Sequence, residues 1–318
     1  MKKSLVFLQF VNFLVFGSHA QSRVEKETFV YAEKDGASLH LDKYVNKDVL
    51  FEGEKPVLIY VHGGGFSVGN RVNALQIQYA KHFTEQGFVS ILMDYRLGIT
   101  PGLEAGQDEI MHAVSIATSD LIDATAFILK HAEEWGIDPD KIIISGGSAG
   151  AITCLNAVYE ISSEGEGSKH LPQDFNYAGV ISHAGAVIVS QDSLIWKRTP
   201  SPMLLMHGNK DMQVPFDSYS IEGNLYAGSN YISKQLREMN APFWLYEEDQ
   251  ADHIVALKPL QYNFSEIDAF IEKFVMKGHK ASVHTVWKDE KPGTMDAMME
   301  LVPLYLIGWG KTDEEVAN

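Results

Sequence analysis

The pentapeptide Gly146-Gly147-Ser148-Ala149-Gly150 and the run His62-Gly63-Gly64-Gly65-Phe66 stand out as residues whose types and spacing suit chemistry. A Gly-x-Ser-x-Gly turn between a strand and a helix holds its serine strained and exposed, because the glycines remove Cβ clashes that would forbid the turn. Such a serine is a nucleophile, and the following helix points its free amides at charge developing beside it. Three consecutive glycines let backbone N–H groups face a cavity with no side chain in the way, which suits an oxyanion. Gly64, Gly65 and Ala149 are the expected donors. A phosphate cradle is the competing use of such a loop, but no Lys-Ser/Thr follows it and the nearest basic residue is Arg71.

Both segments need a strand before them, and the sequence supplies it. Short apolar runs at 56–61, 89–93, 141–145, 178–183, 202–206 and 243–246 have strand length, and unbroken apolarity predicts burial on both faces. Helical spacing covers 74–86, 115–135, 149–161, 231–239 and 265–276. Ahead of them, Phe29 and Tyr31, then Leu39, Leu41 and Tyr44, alternate on either side of Lys34-Asp35-Gly36, which predicts an antiparallel hairpin at one sheet edge. Alternating strand and helix implies an α/β fold, a mostly parallel central sheet with helices on both faces, and ligands bind at the carboxyl ends of such strands.

Composition narrows the function. The chain has 318 residues, 45% hydrophobic and 21% charged, and shows neither a repeat nor a linker, so we expect one domain over 21–318 with a C-terminal extension from about 278. Residues 1–20 begin with Lys2 and Lys3, continue through an apolar run and end on small residues at Ser18 and Ala20. This layout predicts a secretory signal peptide cleaved before Gln21, hence a secreted or periplasmic protein. An uncleaved anchor is the alternative, but Gln9 and Asn12 interrupt a run already shorter than the roughly 20 residues that span a bilayer. The formal charge of −16 argues against nucleic acid and anionic membranes as partners. Cys154 is the only cysteine, so no intrachain disulfide is possible, and its place in a buried helix predicts a packed thiol.

His62 to Phe66, Asp94-Tyr95-Arg96 after the fourth strand, and Asp138-Pro139-Asp140-Lys141 leading into Gly146 to Gly150 together resemble the esterase/lipase group of the α/β-hydrolases. That group contains hormone-sensitive-lipase-like carboxylesterases and bacterial feruloyl and acetyl esterases. The resemblance runs from about Val57 to about Phe274 and implies the α/β-hydrolase fold and an acyl-ester substrate, and hydrolysis through an acyl-enzyme requires no cofactor and no metal. It also implies the chain order serine, acid, histidine. Asp211, in His207-Gly208-Asn209-Lys210-Asp211 just past the strand at 202–206, resembles the family's acid loop, with Asp217 and Asp192 as fallbacks. Of the 12 histidines only His253, His279 and His284 follow Asp211, and His253 alone lies between a strand and the final helix, so it is the expected base. Relatives often place glycines around this histidine, whereas here Gln250-Ala251-Asp252 precedes it, and Asp252 could influence its titration.

Several residues have plainer readings. His62, His183 and His207, also at strand ends, are expected to be hydrogen-bonded structural residues rather than metal ligands. Asp94 and Arg96 resemble a structural pair fixing the loop after the fourth strand, and the Met-rich stretch 295–307 an apolar face docked on the domain. The segment 188–200, where many relatives insert a cap, is short, so a minimal cap is expected. Tyr219, Tyr226 and Trp196 would be aromatic walls of an open site or packing residues. The function implied is a serine carboxylesterase acting through an acyl-enzyme on short or aromatic acyl esters, including acyl groups on glycans. A serine exopeptidase or amidase of the same fold and a catalytically silent binding protein are the rivals.

Overall fold

The computed structural model describes residues 23–289, so the expected leader and the stretch 295–307 lie outside the described residues. Twelve strands form among the described residues: β1 (Val24–Lys34), β2 (Ala37–Asn46), β3 (Lys55–Val61), β4 (Val89–Met93), β5 (Ile137–Gly147), β6 (Gly179–His183), β7 (Ala186–Val189), β8 (Met203–Gly208), β9 (Ser218–Ile221), β10 (Asn224–Gly228), β11 (Phe243–Glu248) and β12 (Ser282–Trp287). The main helices are α1 (Ala74–Thr84), α2 (Gln107–Lys130), α3 (Ala132–Trp135), α4 (Ala149–Ser162), α5 (Ser229–Glu238), α6 (Pro259–Tyr262) and α7 (Phe264–Phe270).

Nine strands make one sheet in the order β1-β2-β4-β3-β5-β6-β8-β11-β12. The β1–β2 hairpin and its junction with β4 are antiparallel, and every pairing from β4 to β12 is parallel. The continuous apolar runs conceal a two-residue period. Val57, Ile59 and Val61 of β3 pack with α2 and α4 on one face, while Leu58 and Tyr60 pack with α1 and α7 on the other. Burying both faces of the sheet gives the chain a core that holds without a disulfide.

α2 begins eight residues before the helical pattern at 115, because the Glu109 carboxylate reaches back to the Gly106 amide at 2.9 Å and caps the first turn. It is the one described helix long and apolar enough to cross a membrane. Ala113, Leu121 and Ile128 are nevertheless fully buried in the core, which makes it a central packing helix. Gly136, at φ +61°, stops α3 in the left-handed conformation.

Two features differ from the sequence expectation. β7, β10 and β9 form a separate three-stranded antiparallel sheet that the apolar pattern does not reveal. The expected extension from about 278 does not simply trail the domain: after α7 the chain continues as a π-helix over Ile271–Met276, and β12 then joins the sheet edge parallel to β11. The connection from β7 to β8 contains no helix, in keeping with a minimal cap.

Candidate active site

Ser148 sits between the end of β5 and the start of α4 with φ 53° and ψ −122°. A non-glycine residue holds such a conformation only where its surroundings enforce it, at a cost of about 1–3 kcal/mol. Here the enforcement is close packing. A Cβ on Gly150 would approach the Val61 carbonyl oxygen to 2.0 Å, so α4 starts directly against the end of β3. The Ser148 amide donates to the His183 carbonyl at 2.9 Å, fixing the turn to β6 as well.

Asp211 follows β8 and His253 follows β11, so two neighbouring parallel strands carry their loops to the same sheet edge as Ser148. His253 Nδ1 lies 2.6 Å from Asp211 Oδ2, and His253 Nε2 lies 2.8 Å from Ser148 Oγ. A carboxylate only accepts, so Nδ1 carries the hydrogen and the Nε2 lone pair faces the serine, whose hydroxyl donates to it. The other oxygen of Asp211 accepts from the amides of Gln213 and Val214 at 2.8 and 2.9 Å. Burial raises the Asp211 pKa, but hydrogen bonds from His207 and His253 outweigh it and hold the carboxyl well below the usual carboxylate range.

The fallback acids stand elsewhere. Asp217 is exposed and bound to Asn230 and Lys234, and Asp192 is exposed on the connection after β7. Asp252 turns its carboxylate onto the Ile254 amide at 2.9 Å, capping the short turn that holds His253.

The glycine loop after β3 is pinned beside Ser148. Gly64 has φ +118°, and a Cβ there would come within 2.0 Å of the Val68 carbonyl oxygen. Its own carbonyl accepts from Ser67 and Val68 amides at 3.1 Å, which turns the carbonyl away from the loop mouth. His62 stacks on Tyr95 at 4.3 Å, and the Tyr95 hydroxyl donates to the His62 carbonyl. A Cβ on Gly150 would also meet the His62 carbonyl oxygen at 2.6 Å, so the first turn of α4 packs against the residue that opens the glycine loop.

Three smaller readings are corrected or completed. Asp94 and Arg96 do not pair with each other: the Asp94 carboxylate accepts from the backbone amide and the guanidinium of Arg71, while Arg96 binds Asp120 and Asp35. Residues two apart on an extended chain point the same way but diverge to different neighbours, so the pairing had to be seen in space. His62 and His207 are hydrogen-bonded, but His183 has no partner for either ring nitrogen among the described residues. Cys154 is fully buried, and burial pushes its thiol pKa up. Sequence reasoning assigned nothing to Asn209, which binds Asp249 and Gln250 of the base loop, or to Ser229, which binds His207. Asn209 lies inside the acid-loop motif and was within reach, whereas Ser229 has no signal short of the fold.

Residues 41–189 match the BD-FAE family model. The chain is 30% identical over 121 residues to gut esterase 1 of Caenorhabditis elegans, covering 38% of this chain and 20% of that protein. It is 31% identical over 115 residues to the probable carboxylic ester hydrolase LipM of Mycobacterium tuberculosis, covering 36% of this chain and 24% of that protein. The aligned region thus spans about a fifth to a quarter of the length of these curated relatives. In fold, the chain is similar to the native esterase Est2 of Thermogutta terrifontis, with a TM-score of 0.57 at 20% identity, covering 80% of this chain and 93% of that one. Over residues 41–189, just under half of its length, the chain is thus similar to the BD-FAE family, and its fold is similar to that of a solved esterase.

Proposed function

We propose that the protein is a serine carboxylesterase in which Ser148 attacks the ester carbonyl, His253 takes its proton and Asp211 holds the imidazole tautomer. The single observation that carries this is the unbroken contact from Asp211 through His253 to Ser148, at 2.6 and 2.8 Å. Amides of Gly64, Gly65 and Ala149 bind the tetrahedral oxyanion, where one donor is worth about 3 kcal/mol. The leaving alcohol receives the proton from His253, and water then cleaves the acyl-enzyme by the same steps in reverse order. The named esterases among the relatives support the ester reading.

The substrate in this proposal is a short-chain or aromatic acyl ester, including acyl groups on glycans. The helix-free connection after β7 supports an open site, and Tyr219, half-exposed and stacked on Tyr226 at 4.7 Å, offers a flat aromatic surface. The signal-like layout of residues 1–20, two lysines followed by an apolar run and small residues, supports an exported location. Ser148→Ala tests the core of the reading: ester turnover and fluorophosphonate labelling should vanish while the circular dichroism spectrum and Tm stay as in the wild type. Retention of most of the turnover would sink it. An amide and aminopeptide panel beside the esters decides against the exopeptidase and amidase alternative.

A further inference from the structure

Asp211 is held by two histidines. His253 Nδ1 and His207 Nε2 approach the same oxygen, Oδ2, at 2.6 and 3.3 Å. His207 lies near the end of β8 and is wholly buried. Its Nε2 is also 3.2 Å from the Val214 carbonyl oxygen. A carbonyl and a carboxylate both only accept, so Nε2 must carry the hydrogen. In the neutral ring Nδ1 then presents its lone pair to Ser229 Oγ, 2.8 Å away, and the serine donates. Ser229, the first residue of α5, is itself fully buried, and Phe216 stands edge-on to the imidazole at 5.7 Å. The ring is thereby fixed in tautomer and orientation by contacts that have no part in substrate binding.

Resting on the assignment of Ser148, His253 and Asp211 above, we propose that His207, oriented by Ser229, is a positioning residue that sets how much of the Asp211 charge reaches His253. An N–H directed at a carboxylate oxygen stabilises the anion and weakens its pull on a second donor. Without it, Asp211 attracts the imidazolium of His253 more strongly. The acid limb of activity then moves to higher pH, and a carboxylate held by one side chain fewer swings more freely. No other charged side chain faces Asp211 among the described residues. Asp252 is turned onto the Ile254 amide, Lys210 is exposed, and Glu248 at the start of the base loop is bound to Lys258.

Three variants test this: His207→Phe keeps a ring and removes the donor, His207→Gln keeps an amide donor near Nε2, and Ser229→Ala removes only the orienting hydroxyl. Two readouts are needed, kcat and KM on a short p-nitrophenyl ester across pH, and an NMR titration of the His253 ring that requires no turnover. His207→Phe should raise the acid limb and the NMR midpoint together by about 0.5–1 pH unit. It should also lower kcat about tenfold, with KM within about twofold of wild type. Ser229→Ala should move both midpoints the same way by less, and His207→Gln should return them toward wild type. A folded His207→Phe with unmoved midpoints overturns the proposal, as does a uniform loss of kcat in all three variants with no midpoint shift. Should His207→Phe not fold, Ser229→Ala decides by the same criterion. Absence of labelling or hydrolysis in the wild type would instead remove the esterase reading, and the NMR midpoints would still judge His207.

Discussion

Asn209 donates from Nδ2 to the carboxylate of Asp249 at 2.9 Å and so ties the turn after β8 to the turn after β11. Its carbonyl oxygen also accepts from the Gln250 amide at 2.8 Å, and its own amide donates to the Glu248 carbonyl at 3.1 Å. The acid and the base therefore move as one unit. Asn209→Ala should lower kcat/KM by about ten- to a hundredfold, the effect of displacing a proton-transfer group by a fraction of an ångström to an ångström. Steady-state kinetics with an unchanged Tm would show it, and wild-type kinetics would show that the backbone contacts suffice alone.

Asp211→Asn should reduce kcat by about 10⁴-fold, because an amide at this position favours the wrong tautomer of His253. Asp217→Asn, which only loses contacts to Asn230 and Lys234 at the surface, should leave kcat within about twofold. Damage from the second change and not the first would mean that the acid is misplaced.

Gly150→Ala forces a methyl group into the Val61 carbonyl at 2.0 Å, with backbone on both sides and no flexible side chain to yield. Overpacking of this kind costs about 1–3 kcal/mol. Thermal unfolding should show a Tm several degrees lower, and the esterase rate should fall with it because the same contact sets the Ser148 turn. An unchanged Tm would mean that α4 shifts freely along β3.

His183 gives the fold a pH dependence of its own. Burial pushes its pKa down to about 3 from the ordinary value of 6.5, so the ring stays neutral in the fold while the unfolded chain takes a proton below about pH 6.5. The unfolded state then binds more protons, and stability, full above pH 6.5, falls as the pH drops toward 3. The slope approaches about 1.4 kcal/mol per pH unit. Urea unfolding at pH 5 and 7 should reveal the loss, and His183→Gln should flatten it. A variant with the same slope as the wild type would place the dependence in other groups.

Chain-length preference tests the substrate proposal. With no helical cap over the connection after β7, each CH₂ left in water forgoes about 0.8 kcal/mol of burial. Activity should peak from acetyl to butyryl esters, or on flat aromatic acyl groups, and fall beyond about eight carbons. A continuing rise of kcat/KM through dodecanoate would require a covered apolar channel. The cleft of about 730 Å³ between α2, α4 and β7, which Ser148 does not line, would be the place to seek it.

The parts of the fold that sequence made legible are those where both burial and local pattern agree. β4, β6 and β3 after Lys55 are largely apolar and buried at every residue, and their bounds fall within a residue or so of the pattern. β9, with all four residues exposed, and β12, with four of six exposed, have no buried face to impose a pattern, so their partners had to be found in space. The same division runs through the site. Ser148, Asp211 and His253 each follow a readable strand, which is why chain order and motif sufficed to select them. The Ser229 hydroxyl meets His207 across 22 residues and a separate sheet, and no local spacing encodes that.

The Ser148–His253 contact closes a loop of 105 residues, and the strands that carry its two ends are separated in the sheet by β6 and β8. Each parallel pairing on that path needs its crossover in place first, and long-range closures of this kind form late. During refolding, helix signal should return well before the serine can meet its base. The unfinished protein is then a scaffold without a nucleophile, and recovery of hydrolysis times the final docking of β11 onto β8 rather than collapse of the core.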